Sequence, residues 1–140
     1  MNIVYNETKK DLSCEQLHAL FVSAGWSDDP TEYMNVFNAP FINSTLAISA
    51  WDNERLVGVV RVLSDKIVRS VIHDLVVLPE YKGKGIGKEL ARRCIAHFPN
   101  SEWLVQTEKH IIPYYEKMGF RIHEAVLTIP SAYDPANEAR

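Results

Sequence analysis

The alternation of apolar and polar residues along the chain predicts six strands. Short apolar runs rich in β-branched residues are typical of strands, and they occur at residues 3–5, 46–51, 56–63, 68–78, 103–107 and 120–129. The polar turn Asp52-Asn53-Glu54 separates the second and third runs, which we expect to form a hairpin. The first run is short and is expected at the edge of a sheet.

Apolar residues three or four positions apart predict two helices before the hairpin. Ser13 and Gln16 have the spacing of a capping box, and the helical periodicity that follows ends at Gly25. Asp29-Pro30 has the composition of a second helix start, with aspartate as the cap and proline in the first turn. The apolar face of this second helix would carry Tyr33, Val36 and Phe37.

Two further helices are predicted on either side of the fifth strand. The first places four apolar residues on one face, namely Ile86, Leu90, Cys94 and Phe98. The second covers residues 111–118 and ends at Gly119. A strand, a helix and a strand at this spacing form a parallel βαβ unit. We therefore expect one α/β domain over residues 1–140, with 130–140 as a loose polar tail.

Composition narrows the class of protein. The chain has 140 residues and a formal charge of −3, which argues against non-specific binding to nucleic acid. No apolar run is long enough to cross a membrane, and the first ten residues lack the apolar core of a signal peptide. The two cysteines, Cys14 and Cys94, do not have metal-binding spacing. These features predict a cytoplasmic protein that binds neither nucleic acid nor membrane.

The segment between the fourth strand and the third helix carries the clearest chemical signal. Glycines at positions 83, 85 and 87 lie just before the helix, where backbone N–H groups and the helix dipole favour an anion. Lys82, Lys84 and Lys88 add positive charge around them. The spacing fits neither a P-loop nor a dinucleotide fold. A phosphate-bearing ligand is predicted, and the alternatives are a flexible loop and a solvated run of charge.

Two motifs give the chain a family resemblance. The sequence K-G-K-G-I-G at 82–87 resembles the acetyl-CoA pyrophosphate motif of the GNAT N-acetyltransferase superfamily, Arg/Gln-x-x-Gly-x-Gly/Ala, with lysine where Arg or Gln is usual. The sequence P-Y-Y-E-K-M-G-F at 113–120 resembles the second signature of that family. The order of the predicted elements also matches over about residues 1–129. The resemblance implies a mixed central sheet with two splayed parallel strands and helices on both faces.

The resemblance also implies a site for acetyl-CoA, with no metal. The pantetheine arm would lie between the splayed strands and pair with the backbone of Leu75, Val76 and Val77. The amides of residues 83–88 would hold the pyrophosphate. The residues expected to bind the coenzyme at the loop are Lys82, Gly83, Lys84, Gly85, Ile86, Gly87 and Lys88. His18, His97 and His123 lie on separate elements, a pattern that does not suggest a metal site.

The catalytic groups follow from the same resemblance. Tyr115 matches the family's tyrosine that protonates the departing thiolate. The alternative is that Tyr115 only packs against its neighbours. The backbone N–H of Val76 or Val77 would polarise the thioester carbonyl. Because Cys94 falls on an apolar helix face and no base is placed beside either cysteine, a covalent thiol mechanism is not expected.

The base is left open by the sequence. Many members of the family carry Glu or His where this chain has Val71, but His73 follows two residues later. Strict alternation would place His73 on one strand face with Val71, Leu75 and Val77, and Asp74 on the other face. His73 is either the base or a structural residue. Glu108, His110 and water are the other candidates.

The resemblance implies transfer of an acetyl group to a primary amine by direct attack in a ternary complex. Aromatic and acidic residues before the hairpin suit a small cationic amine; they are Trp26, Asp28, Asp29, Glu32, Tyr33, Phe37 and Phe41. Three alternatives remain at this point: acetylation of a protein N-terminus or lysine, a non-catalytic acyl-CoA sensor, and use of a longer acyl chain. The oligomeric state is also open, with a homodimer as one option.

Overall fold

A computed structural model of the chain describes residues 2–26, 36–123 and 126–130. The chain divides into two compact units, Met1–Val105 and Gln106–Arg140. The described part of the first unit contains a five-stranded sheet and three α-helices. The described part of the second unit contains one α-helix.

The sheet of the first unit is mixed, as predicted. Its strands, in spatial as well as chain order, are β1 (Ile3–Asn6), β2 (Leu46–Asp52), β3 (Arg55–Ser64), β4 (Arg69–Val77) and β5 (Glu102–Val105). The first three pairings are antiparallel and the last, between β4 and β5, is parallel. The β2–β3 hairpin is confirmed, with Asn53 at a positive φ of 53° in its turn.

Helices cover both faces of this sheet. The helices are α1 (Cys14–Ser23), α2 (Ala39–Ile42) and α3 (Ile86–His97). A Cβ added at Gly58 in β3 would lie 3.3 Å from the Ile86 side chain and 3.2 Å from that of Leu90, so this face of β3 packs on α3. Arg61 is three positions after Gly58 in β3, so its side chain lies on the other face of the sheet. There its guanidinium lies over the ring of Phe41 in α2. The parallel βαβ unit and the arrangement of helices on both faces are confirmed.

The start of α1 differs in detail from the expected capping box. The Ser13 hydroxyl accepts a hydrogen bond from the Gln16 amide at 3.2 Å, as the cap requires. The Gln16 side chain does not return to Ser13, because it accepts a hydrogen bond of 2.7 Å from the Leu56 amide. Gln16 thus ties α1 to β3. Gly25, at a φ of 77°, ends the helix as predicted.

The pairing between the two parallel strands covers only the first half of β4. Their pairing runs from Arg69↔Glu102 to Ile72↔Val105, where β5 ends. β4 continues to Val77, five positions beyond Ile72, which is its last residue paired with β5. The second half of β4 therefore has no described strand paired with it on this side, and we call this open strand edge, which precedes the glycine segment, the gap.

A β-bulge in β4 corrects the expected alternation. Asp74 pairs with Arg61 and Ile72 pairs with Val62, so His73 is an extra residue with no Cα partner in β3. Paired residues share a face, and the partners of Val71 and Leu75 are Leu63 and Val60. Because Leu63 and Val60 are three positions apart, Val71 and Leu75 lie on opposite faces. The expectation that His73 shares one face with Val71, Leu75 and Val77 is therefore wrong, since the bulge shifts the alternation by one residue.

The second unit retains the expected helix but not the expected strand. Helix α4 (Ile112–Glu116) follows a 3-10 turn at Lys109–Ile111, and Gly119 has a φ of 101° after it. The prediction of a last strand over residues 120–129 is wrong for the described residues 120–123 and 126–130, which form no strand. A strand needs a partner for its backbone groups, and none of the described strands pairs with them.

Three other expectations have different outcomes. The helix predicted from Asp29-Pro30 lies mostly outside the described residues, and Val36, expected on its apolar face, is 52% exposed. The tail expected at residues 130–140 lies outside them except for Pro130. Strand β5 ends at Val105, two residues earlier than predicted. Among the described helices, none has both the length and the apolar character needed to cross a membrane.

Candidate active site

The gap beside β4 presents backbone groups from alternate residues. The Leu78 amide donates a 2.9 Å hydrogen bond to the Val57 carbonyl oxygen in β3. The N–H and C=O groups of successive residues point to opposite sides of a strand. Val76 lies two residues before Leu78, so its N–H and C=O groups are also directed toward β3. Leu75 and Val77 direct their N–H and C=O groups toward the side from which β5 has diverged. Two of the three residues expected to meet pantetheine thus face the gap.

The glycine segment forms an exposed approach to the start of α3. Gly83 and Gly85 have φ values of 77° and 81°, a left-handed conformation that glycine adopts without strain. Gly85 is the residue before the first turn of α3, and no side chain caps the N–H groups of that turn. An added Cβ at Gly85 would meet no atom within 4 Å. Uncapped N–H groups at the start of a helix are suited to binding a phosphate group.

The segment just before these glycines is fixed to the hairpin. It forms a short 3-10 turn, Pro79–Tyr81, which the sequence did not predict. The Tyr81 hydroxyl donates a 2.5 Å hydrogen bond to Asp52, and Arg55 makes a 2.9 Å ion pair with Glu80. These contacts hold the entry to the glycine segment against the β2–β3 turn.

Three cations surround the segment. The side chains of Lys82, Lys84 and Lys88 are exposed, and none of them has a hydrogen bond or ion pair with another described residue. Their charge is therefore not neutralised by a carboxylate of the described chain. This arrangement favours an anionic ligand at the start of α3.

His73, at the bulge, lies at the level where β4 and β5 separate. Its side chain reaches solvent. The pKa of His73 is lowered from 6.5, mainly because partial burial disfavours the imidazolium and also because of the charge of Arg61, while Asp74 opposes the shift. His73 is therefore mostly neutral at pH 7 and has a ring nitrogen able to accept a proton.

Tyr115 lies in α4 of the second unit. Its ring is buried, with edge contacts to Tyr114 at 5.3 Å and Phe120 at 5.6 Å between centroids. Burial raises the pKa of Tyr115 to about 12, with a smaller contribution from Tyr114. The Tyr115 hydroxyl has no hydrogen-bond partner among the described residues. Because every buried side-chain nitrogen or oxygen of those residues does have a partner, this hydroxyl is not buried and reaches solvent. A protonated phenol with an open hydroxyl can act as an acid.

The remaining candidates are less suited to catalysis. Glu108 and His110 are 74% and 71% exposed and form a 3.4 Å ion pair with each other when His110 is protonated. Cys94 is fully buried, and burial raises the pKa of its thiol to about 12, which opposes thiolate chemistry. His97 contacts Glu7 at 2.7 Å. The described residues contain no group of three or more His, Cys, Asp or Glu side chains arranged for a metal ion.

Sequence reasoning also missed the ion pair between Arg61 and Asp74. Arg61 Nε donates a 2.7 Å hydrogen bond to Asp74 Oδ2 beside His73. A signal was present, because each is a single charge within an apolar strand, in V-V-R-V-L and I-H-D-L-V. The first unit thus places His73 and this ion pair along β4, the same strand whose open edge leads to the glycine segment.

Comparisons with known proteins agree with this geometry. The acetyltransferase (GNAT) domain model matches residues 9–127. An uncharacterised N-acetyltransferase, ycf52, of Pyropia yezoensis is 28% identical over 124 residues, which cover 84% of this chain and 70% of that relative.

Two solved structures share the fold. A GNAT family acetyltransferase from Streptococcus pneumoniae TIGR4 has a TM-score of 0.76 at 22% identity, over 95% of this chain and 100% of that one. The PaiA N-acetyltransferase of Thermoplasma acidophilum, solved in complex with coenzyme A, has a TM-score of 0.67 at 16% identity, over 90% of this chain and 94% of that one. Since the family model covers most of the chain and the relatives and the fold agree with it, the chain belongs to the GNAT superfamily and is an N-acetyltransferase.

Proposed function

We propose that this N-acetyltransferase moves an acetyl group from acetyl-CoA to the primary amine of a small molecule, by direct attack within a ternary complex. The observation that carries the proposal is the uncapped, glycine-rich start of α3 placed directly after a strand whose edge is open. The first feature suits a pyrophosphate, and the second suits an extended, amide-containing arm. The complex of PaiA with coenzyme A supports the same choice of cosubstrate.

The chain would hold the coenzyme mainly through its backbone. The N–H groups at the start of α3 would bind the pyrophosphate, and Lys82, Lys84 and Lys88 would offset its charge. The outward N–H and C=O groups of Leu75 and the C=O group of Val77 would pair with the pantetheine arm. The Val77 N–H is also the group we propose for polarising the thioester carbonyl, because the N–H of Val76 is directed toward β3.

Two side chains would move the protons. His73 would take a proton from the incoming ammonium, directly or through water, and leave a neutral amine with a free electron pair. That amine would form a bond to the acetyl carbon as the carbon–sulfur bond breaks. The Tyr115 hydroxyl would then give its proton to the departing thiolate, and the second proton that the nitrogen loses as the amide forms would return, through solvent, to the Tyr115 oxygen. The lowered pKa of His73 and the raised pKa of Tyr115 leave each group in the required form at pH 7.

A release assay tests this proposal. The protein is mixed with acetyl-CoA and a panel of small primary amines, protein N-terminal peptides and lysine peptides, and free thiol and acetylated product are both measured. We expect thiol release that depends on a small amine and matches the product formed. Coenzyme binding with no release in any mixture would instead indicate a sensor, and release with peptides only would indicate a protein acetyltransferase.

A further inference from the structure

The Arg61–Asp74 ion pair is only partly used within the protein. Arg61 donates to Asp74 through Nε alone, and the two side chains are 18% and 20% exposed. Arg61 Nη1 and Nη2 and Asp74 Oδ1 have no hydrogen-bond partner among the described residues. The remaining donors and the remaining acceptor of this half-buried pair are therefore available to a ligand.

These unused atoms are open to solvent. No buried side-chain nitrogen or oxygen of the described residues lacks a partner, so the unpaired atoms of Arg61 and Asp74 must be accessible. The guanidinium carbon of Arg61 lies 5.8 Å from the centroid of the Phe41 ring, which supports the group from one side. The outer edge of the guanidinium, Nη1 and Nη2, is the edge that binds a carboxylate or phosphate with two parallel hydrogen bonds.

The pair lies where an acceptor has to be placed. Asp74 follows His73, just beyond the last residue of β4 that pairs with β5. Both charged residues lie on the sheet face of α2, opposite the face that packs on α3. The start of α3 is the proposed coenzyme site, so a second substrate that approaches from the opposite face of the sheet would meet Arg61.

We propose that Arg61 binds an anionic group of the acceptor, so that the substrate is a primary amine that also carries a carboxylate or phosphate. Asp74 holds the guanidinium through Nε and offers Oδ1 to the ammonium of the same molecule. This inference rests on the proposed acetyl transfer and specifies its substrate class. Arg61 acts in binding and takes no part in the movement of protons.

Matched acceptors test the inference in the wild-type protein without any variant. Glucosamine 6-phosphate is compared with glucosamine, and serine with serinamide, each pair sharing one carbon skeleton with and without an anion. We expect kcat/KM to be at least about tenfold higher for the anionic member of one pair, and the pair that responds distinguishes phosphate from carboxylate.

Arg61→Lys then tests the residue, because lysine keeps the charge but loses the two-pronged edge. We expect KM for the anionic member to rise about tenfold, with little change for the neutral member. Arg69→Lys is the control, since Arg69 makes an exposed 3.2 Å ion pair with Glu102 on the same sheet. Melting temperatures of both variants report any loss of folding.

Two results overturn the inference, and they differ from each other. If neutral and anionic members react equally well, the ion pair is structural while acetyl transfer stands. If no amine of either kind releases thiol, the proposed function fails and this inference fails with it.

Discussion

Gly85 and Gly25 have nearly the same positive φ at two unrelated places in the fold. Their φ values are 81° and 77°, and an added Cβ would meet no atom within 4 Å at either position. Gly25 follows the C-terminal end of α1, whereas Gly85 precedes the first turn of α3. A β-branched residue would therefore strain both sites similarly but would obstruct a ligand only at Gly85.

This relationship gives a matched pair of variants, Gly85→Val and Gly25→Val. We expect both to lose about 1–2 kcal/mol of stability through the unfavourable φ. Acetyl-CoA should still raise the melting temperature of Gly25→Val, as we expect it to do for the wild type by mass action. It should no longer do so for Gly85→Val, and calorimetry should show at least about a hundredfold weaker binding. Equal binding by both variants would place the coenzyme elsewhere.

Lys82 should contribute to coenzyme binding through its charge. Its side chain has no partner among the described residues, so removing it leaves no carboxylate unpaired. We expect Lys82→Ala to weaken acetyl-CoA binding about tenfold at low salt, and Lys82→Arg to preserve it. Lys9→Ala is the control, because Lys9 is already paired with Asp11 at 3.4 Å. If Lys82→Ala and the control bind alike, Lys82 is only a solvated cation.

Tyr115→Phe tests the acid with little change in packing. Loss of the hydroxyl should lower kcat by about a hundredfold or more and leave acetyl-CoA binding unchanged. Tyr114→Phe, a change of the adjacent ring that is 41% exposed, should retain most activity. The raised pKa also predicts that wild-type turnover shows no loss from Tyr115 ionisation until the pH approaches about 12. Full turnover in Tyr115→Phe would remove it from the mechanism.

His73 should produce an acidic limb in the pH–rate profile. Because its pKa in the folded protein is lowered, the rate should rise with pH around a midpoint below 6.5. His73→Ala should flatten this limb and slow the reaction most near neutral pH, with a smaller loss at high pH where the amine is already neutral. An unchanged profile would make His73 structural, and His110→Ala would then test the next candidate.

Much of the fold could be predicted from the sequence because its signals are local. Apolar runs define the strands, and the residues Ile86, Leu90 and Cys94 define the buried face of α3 by their spacing. The glycine segment could also be located, since an anion site at a helix start depends only on adjacent residues. These predictions needed no knowledge of which strands pair.

The parts that failed depend on pairing between distant segments. The bulge at His73 exists only in the register between β3 and β4, so alternation along β4 alone placed Val71 on the wrong face. The Arg61–Asp74 ion pair depends on that same register. Residues 120–129 have a composition typical of a strand, but a strand also needs a backbone partner, which the described residues 120–123 and 126–130 lack.

Two-substrate initial-rate kinetics test the central claim most directly. Thiol release is measured while acetyl-CoA and a reactive amine are varied together. Direct attack in a ternary complex predicts release that requires both substrates and double-reciprocal lines that intersect. Parallel lines, together with thiol release from acetyl-CoA before any amine is added, would indicate an acetylated enzyme and would contradict the account.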